Sequence, residues 1–163
     1  MAIFVRNTVS TPPKHCDVDT WSAQDVIQTL NLTANVEKGY YIETFADQAK
    51  INNRSYSTAI YYLLEGKVGP SYWHRVDAPE VWHHYAGALL RLDLSFDDGK
   101  PVDHRVLGKD IFHGQAPQVV INKMQWQRAE SLGEWTLVGT TVAPGFTEGG
   151  FELAPPDWQP SGA

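Results

Sequence analysis

The sequence predicts an all-β jelly-roll barrel with one N-terminal α-helix, and three observations carry that prediction. From Val36 onward the chain breaks into short runs rich in β-branched and aromatic residues. Glycines and an Asp98-Gly99 pair punctuate those runs. Helical spacing appears only once, ahead of them, so no helices alternate with strands and an antiparallel sandwich or barrel is the economical solution.

The helix is expected over Asp19–Leu32. Ser22 and Asp25 stand at capping-box spacing, and Trp21, Val26, Ile27 and Leu30 then recur on one face. The strand runs are 38–46, 55–66, 80–100, 104–110, 117–123, 125–131 and 134–146, with a tight hairpin at Asp98-Gly99. Residues 1–17, with Pro12 and Pro13, read as an extended arm. Residues 18–163 read as one domain: helix 19–32, barrel 36–153, then an extended tail with a loose end.

Composition narrows the function. The chain has 163 residues, 42% hydrophobic and 20% charged, long enough for a full core. A net charge of −6 and the absence of any Lys/Arg run argue against nucleic acid or an anionic membrane as partner. Cys16 is the one cysteine, so no internal disulfide forms and a cytoplasmic, reducing setting is expected. Twelve per cent aromatic residues suit an aromatic-lined small-molecule pocket as well as a core.

The chemistry-bearing stretch is Gly69–Gly87. It places His74 before Glu80, and Glu80 before Gly87, on what read as consecutive strands. Because side chains alternate on a strand, Glu80, Trp82 and His84 share a face. His84 lies about 13 Å beyond Glu80 at the usual rise, so it cannot ligate the same ion. His74 and Glu80 could form an acid–base dyad, with Glu80 orienting an imidazole that moves a proton. The plainer reading is a buried polar pair that fixes a turn. Tyr41 and Glu43 share a strand face and are candidate pocket wall. Arg54 and Arg75 could bind an anion through a guanidinium fork, although Arg75 alternates away from His74. His15, His104 and His113 read as solvent-facing. Trp73, Trp126, Trp135 and Phe146 read as core or subunit contact. Cys16 has no base nearby to make it a nucleophile.

The order Gly69, His74, Glu80, Gly87 resembles the first motif of the cupins, which runs glycine, His-x-His, glutamate, glycine. The gap after Gly69 is one residue short, and Val76 replaces the second histidine. The second cupin motif, Pro-x-Gly-x-x-His, is reduced to Asn122, Met124 and Gln127. The stretches 37–44, 57–64, 73–87, 107–110, 117–121, 126–129 and 136–153 are similar to one subfamily, DUF985 or cupin_5. It usually has Pro-x-Gly where this chain has Asn122, Lys123 and Met124, so a looser or remodelled turn is expected there.

The resemblance implies a double-stranded β-helix with a cavity in its mouth, commonly a homodimer, and supplies no established reaction. It implies His74, Glu80 and Gln127 as the metal-ligand positions. One imidazole, one carboxylate and one amide make a poor set, so the expected cofactor is none or a weakly held divalent metal (Fe, Mn, Ni or Zn). Sugar-nucleotide epimerases, another cupin branch, use a histidine base and a tyrosine acid; Tyr41, Tyr61 or Tyr62 could supply the phenol here. The expectation is an isomerase, epimerase or lyase acting on a small polar or carbonyl-bearing metabolite. His74 and Glu80 would be catalytic, and Gln127, Trp82, His84, Tyr41, Glu43 and Tyr61 would bind substrate. The alternatives are a non-catalytic ligand-binding cupin and a metal-dependent dioxygenase or decarboxylase.

Overall fold

A computed structural model describes residues 20–163; the expected N-terminal arm, His15 and Cys16 lie outside them. The helix α1 spans Ala23–Leu30, shorter at both ends than expected. Its start is fixed by Ser22, whose hydroxyl accepts the Asp25 N–H while the Asp25 carboxylate accepts the Ser22 N–H. Asn31, at φ 55°, ends it in the left-handed conformation that asparagine tolerates. Val26 and Ile27 are buried beneath it against Leu63, Ala86 and Trp135.

Among the described residues thirteen strands follow. A six-stranded sheet runs β1 (Thr33–Ala34), β2 (Tyr40–Ala46), β5 (Thr58–Glu65), β12 (Trp135–Val142), β7 (Glu80–Gly87), β10 (Gln118–Ile121). A five-stranded sheet runs β13 (Phe151–Leu153), β6 (His74–Val76), β11 (Trp126–Ser131), β8 (Leu90–Ser95), β9 (Asp103–Leu107). β3 (Lys50–Ile51) and β4 (Arg54–Ser55) form a separate small hairpin that the sequence pattern did not announce. All strand pairings within the sheets are antiparallel. The fold is an all-β barrel of two sheets with one helix.

The two sheets close on an apolar interior: Tyr62, Leu64 and Trp82 from one face Leu90, Leu92, Leu94 and Ala129 from the other. On the outside, Tyr61 and Leu63 meet α1. A bulge in β7 opposes Val138 to His84 and Leu137 to Ala86, leaving Tyr85 as the extra residue. Trp82 thereby stays in the barrel while Ala86 packs under the helix. Tyr85 lies over Gly139 and meets Tyr61 edge-on at 5.9 Å. Any side chain at Gly139 would collide with that ring.

Three local expectations change. β8 and β9 are joined by a loop over 96–102, with both Asp97 (φ 56°) and Gly99 (φ 79°) left-handed, instead of a two-residue turn at Asp98-Gly99. Asp97 is held there because its carboxylate accepts the N–H and hydroxyl of Ser161. That contact also ties down the tail expected to be loose. Trp158 packs at a tilt against Trp126, ring centroids 4.4 Å apart, and Gln159 accepts from Trp73 Nε1, so the tail covers the outer face of the five-stranded sheet. Finally, the turn at Asn122–Gln125 is tight. Gln125 N–H bonds Asn122 C=O, Met124 N–H bonds Val76 C=O, and Met124 takes φ 60° where the resemblance led to the expectation of a glycine.

Candidate functional site

One end of the barrel holds a cavity of about 380 Å³. Aromatic and aliphatic side chains make most of its wall, among them Tyr41, Tyr62, Trp82, Phe146 and Phe151. The titratable groups set into that wall are Glu37, His74, Glu80 and Glu148, besides the two tyrosines.

His74 and Gln127 are cross-strand partners on β6 and β11. Glu80 arrives from the other sheet, at the start of β7. Its Oε2 accepts Gln127 Nε2–H at 2.6 Å, and the Thr140 hydroxyl from β12 also bonds the carboxylate. The Glu80–Gln127 bond therefore staples the two sheets together inside the barrel, with both groups buried.

His74 is 3% exposed. Its Nδ1 lies 3.1 Å from the Tyr72 carbonyl oxygen, which can only accept, so Nδ1 carries the proton and Nε2 keeps the lone pair. Glu37 Oε2 lies 3.4 Å from the same Nδ1. The ring packs on Phe151 at 5.7 Å. Burial lowers the His74 pKa; the nearby Glu80 charge and the Tyr72 carbonyl oppose that without reversing it. Burial likewise raises Glu80, against the pull of His74, Gln127 and Thr140.

Glu37 belongs to the turn between β1 and β2, and sequence reasoning did not single it out. The turn is clamped on three sides. Tyr72 N–H bonds Glu37 C=O, Tyr62 Oη donates to Lys38 C=O at 3.0 Å, and Lys38 Nζ donates to the carbonyls of Val68 and Pro70. Lys38 (φ 83°) and Gly39 (φ 70°) are both left-handed, and a Cβ at residue 39 would strike Leu63 C=O and the Tyr62 ring. The turn therefore needs its glycine, and it delivers the Glu37 carboxyl beside His74. The Glu37 side chain is 15% exposed, and burial raises its pKa from 4.5 to about 8. That shift favours the protonated acid at neutral pH.

The family described as Cupin superfamily (DUF985), Cupin_5, matches residues 24–154. The chain belongs to this cupin family. Among solved structures, a protein from Shewanella oneidensis is 31% identical, with a TM-score of 0.77, over 82% of this chain and 85% of that one. A hypothetical protein from Leishmania major is 25% identical, with a TM-score of 0.75, over 81% and 86% of the two chains. Oxalate decarboxylase from Bacillus subtilis shares the fold at 14% identity and a TM-score of 0.55, over 76% of this chain and 30% of that one. No curated protein matches the chain.

The residues of this cupin do not fit a tightly held metal. Val76 occupies the second histidine position. The amide of Gln127 turns its donor to Glu80 Oε2. Among the described residues no group of three or more His, Cys, Asp or Glu side chains is placed to hold an ion. His74 and Glu80 stand in the cavity wall, and Gln127 lies behind Glu80 as its hydrogen-bond donor.

Other expected site residues divide cleanly. Trp82 and Tyr41 line the cavity. Tyr61 does not: it faces outward to Tyr85 and the helix, and Tyr62, one residue on, takes the inward position. Glu43 is exposed and outside the lining, beside the bulge between Glu43 and Phe45. His84 is remote from His74, with Nε2 bonded to Ala88 C=O at 2.9 Å. Arg54 is spent on Asp77 in a two-pronged pair, and Arg75 pairs with Glu152 on the outside. Phe146, expected in the core, forms part of the cavity wall. His104 and His113 are surface groups, paired with Asp93 and Asp110. Among the described residues no helix is long and apolar enough to cross a membrane.

Proposed function

We propose that this cupin is an acid–base enzyme of isomerase, epimerase or lyase type acting on a small carbonyl-bearing metabolite. The observation that supports it is the placement of His74 Nδ1 3.4 Å from the buried Glu37 carboxyl in the cavity wall. His74 Nε2 accepts a proton from the carbon next to the substrate carbonyl. The electron pair moves into the C–C bond as the carbonyl π pair moves to oxygen, and that oxygen takes the Glu37 proton. An enol results, with His74 as imidazolium and Glu37 as carboxylate. The two new charges lie on adjacent groups, so the cavity gains an ion pair and no net charge. If the enol turns over in the cavity, His74 returns its proton to the same carbon while Glu37 takes back the enol O–H proton, giving the epimer; if His74 instead delivers its proton to the former carbonyl carbon and the neighbouring hydroxyl gives its proton to Glu37, the isomer results. Glu80 and Gln127 hold the wall and set the polarity around His74.

In this reading Glu37, not Tyr62, supplies the acid. Burial raises Tyr62 well above its ordinary pKa, and its hydroxyl already donates to Lys38 C=O. The proposal includes a cytoplasmic homodimer, supported by the lone cysteine and by the family resemblance.

The test is solvent-deuterium incorporation into a panel of small hydroxyaldehydes and hydroxyketones, followed by proton NMR. Exchange with the native protein, lost about 100-fold or more in His74→Ala, is expected. A compound that occupies the cavity yet exchanges no proton would favour the non-catalytic binding module instead.

A further inference from the structure

The polar groups of the deep cavity are gathered at one end. Glu37 meets His74 at 3.4 Å, His74 and Glu80 lie close enough for their charges to interact, and the Thr140 hydroxyl bonds Glu80. The other hydrogen-bonding groups of the deep wall are turned to partners within the protein or buried. Tyr62 Oη donates to Lys38 C=O, Thr58 Oγ1 accepts the Phe146 N–H, and Trp82 Nε1 is buried away from the cavity space. Gln127 stands behind Glu80, outside the lining, and its unpartnered Oε1 is buried as well. Tyr41 and Glu148 are exposed at the mouth, where water serves them.

The rest of the wall presents carbon. Val76, Val142 and the Trp82 ring are buried in it. A run of rings then leads from the base toward the mouth. Phe151 lies 5.7 Å from the His74 ring, Phe146 lies 5.7 Å from Phe151, and Phe146 is 42% exposed.

A polyhydroxylated molecule would lose the water on each hydroxyl against this wall and find partners only at the His74 end. A ring or a branched alkyl group gains instead, by leaving water and by packing on the two phenylalanines. At about 380 Å³ the space is near the lower end of the usual range of about 300–1,000 Å³, so the body it takes is compact.

We infer that the substrate is a carbonyl compound whose polar atoms are confined to one end, beside His74 and Glu37, and whose apolar body, aryl or branched alkyl, lies on Phe151 and Phe146. This rests on the acid–base reading of the cavity and narrows it to substrates other than sugars and polyols. Phe146 and Phe151 determine specificity and take no part in proton transfer.

The experiment uses full-length protein and three hydroxyketones that share one polar end. Hydroxymethyl isobutyl ketone and erythrulose have the same number of non-hydrogen atoms and differ only in the body; phenyl hydroxymethyl ketone is the aryl probe. Carbon–proton spectra of histidine-labelled protein, with His74 assigned from His74→Asn, give each dissociation constant, and deuterium incorporation is read separately. The isobutyl and phenyl ketones are expected to bind about tenfold or more tightly than erythrulose. Phe146→Ala keeps the backbone N–H that bonds Thr58, and is expected to weaken the phenyl ketone about tenfold while leaving erythrulose within about twofold. Phe151→Leu is expected to weaken the phenyl ketone about threefold. Erythrulose binding as tightly as the apolar ketones would overturn the inference; deuterium exchange into it would show that the acid–base reading survives. An apolar preference unchanged in both variants would overturn the part assigned to the phenylalanines. Tight apolar binding without exchange would uphold the apolar body and remove the enzyme reading alone. No binding by any probe would overturn the inference.

Discussion

Replacing Glu37 with glutamine should make the protein more stable at alkaline pH, although it removes a group from the candidate site. Glutamine is the neutral isostere of the protonated acid. In the folded protein Glu37 keeps its proton up to about pH 8, against 4.5 ordinarily. The folded state therefore binds more protons than the unfolded state between those values, and stability falls as pH rises through that window. At about 1.36 kcal/mol per pH unit, the whole displacement amounts to about 5 kcal/mol. Water entering the open mouth softens this, so a loss of about 2–5 kcal/mol between pH 5 and pH 9 is expected. Glu37→Gln should match the native protein near pH 4.5, exceed it by that margin at pH 9, and flatten the profile between. Urea unfolding across this range measures both proteins; Glu37→Gln also removes the charge that helps to raise Glu80, which adds to the difference in the same direction. Parallel profiles for the two proteins would refute the claim that Glu37 is a buried, protonated acid.

Three other changes probe the surroundings. Tyr62→Phe removes the bond to Lys38 C=O and should cost about 1 kcal/mol, yet leave deuterium exchange within a few-fold of native. A loss of 100-fold or more would restore tyrosine as the acid. Gln127→Leu strands Glu80 without its amide donor and should destabilise by about 2–3 kcal/mol at pH 8, with part of that recovered at lower pH, where the raised Glu80 carboxyl takes up a proton. Thermal unfolding at the two pH values reads the difference. Met124→Gly relieves a left-handed backbone at an exposed turn and should stabilise by roughly 0.5–1 kcal/mol, measured by urea midpoint.

The sequence was most informative where spacing and geometry are local. His74 and Glu80 flank a short turn, so their order alone places both at one end of the barrel. Gln127 could be set beside them only through its place in the second cupin motif; in the structure β11 pairs with β6 at His74 itself. Tyr61 and Tyr62 could not be told apart. β5 is apolar on both faces, one against the barrel interior and one against α1, so the period-two signal that marks an inward face is absent. Glu37 was hidden for a different reason. It sits on a turn, far in sequence from His74, and reaches the cavity only through the fold of that turn. The one local hint is the Lys38-Gly39 pair, whose left-handed backbone bends the chain there. The tail shows the same limit: its anchors, Trp73, Asp97 and Trp126, lie in strands and loops that no periodicity links to it.

The protonation state of His74 at neutral pH tests the account most directly. Nitrogen-15 NMR of histidine-labelled protein, titrated from pH 5 to pH 8 with His74→Asn for assignment, distinguishes the two ring nitrogens. The account predicts a neutral imidazole at pH 7, protonated on Nδ1 and bearing its lone pair on Nε2, with imidazolium appearing only below the ordinary histidine range. An imidazolium at pH 7, or a proton on Nε2 instead of Nδ1, would contradict His74 as the base.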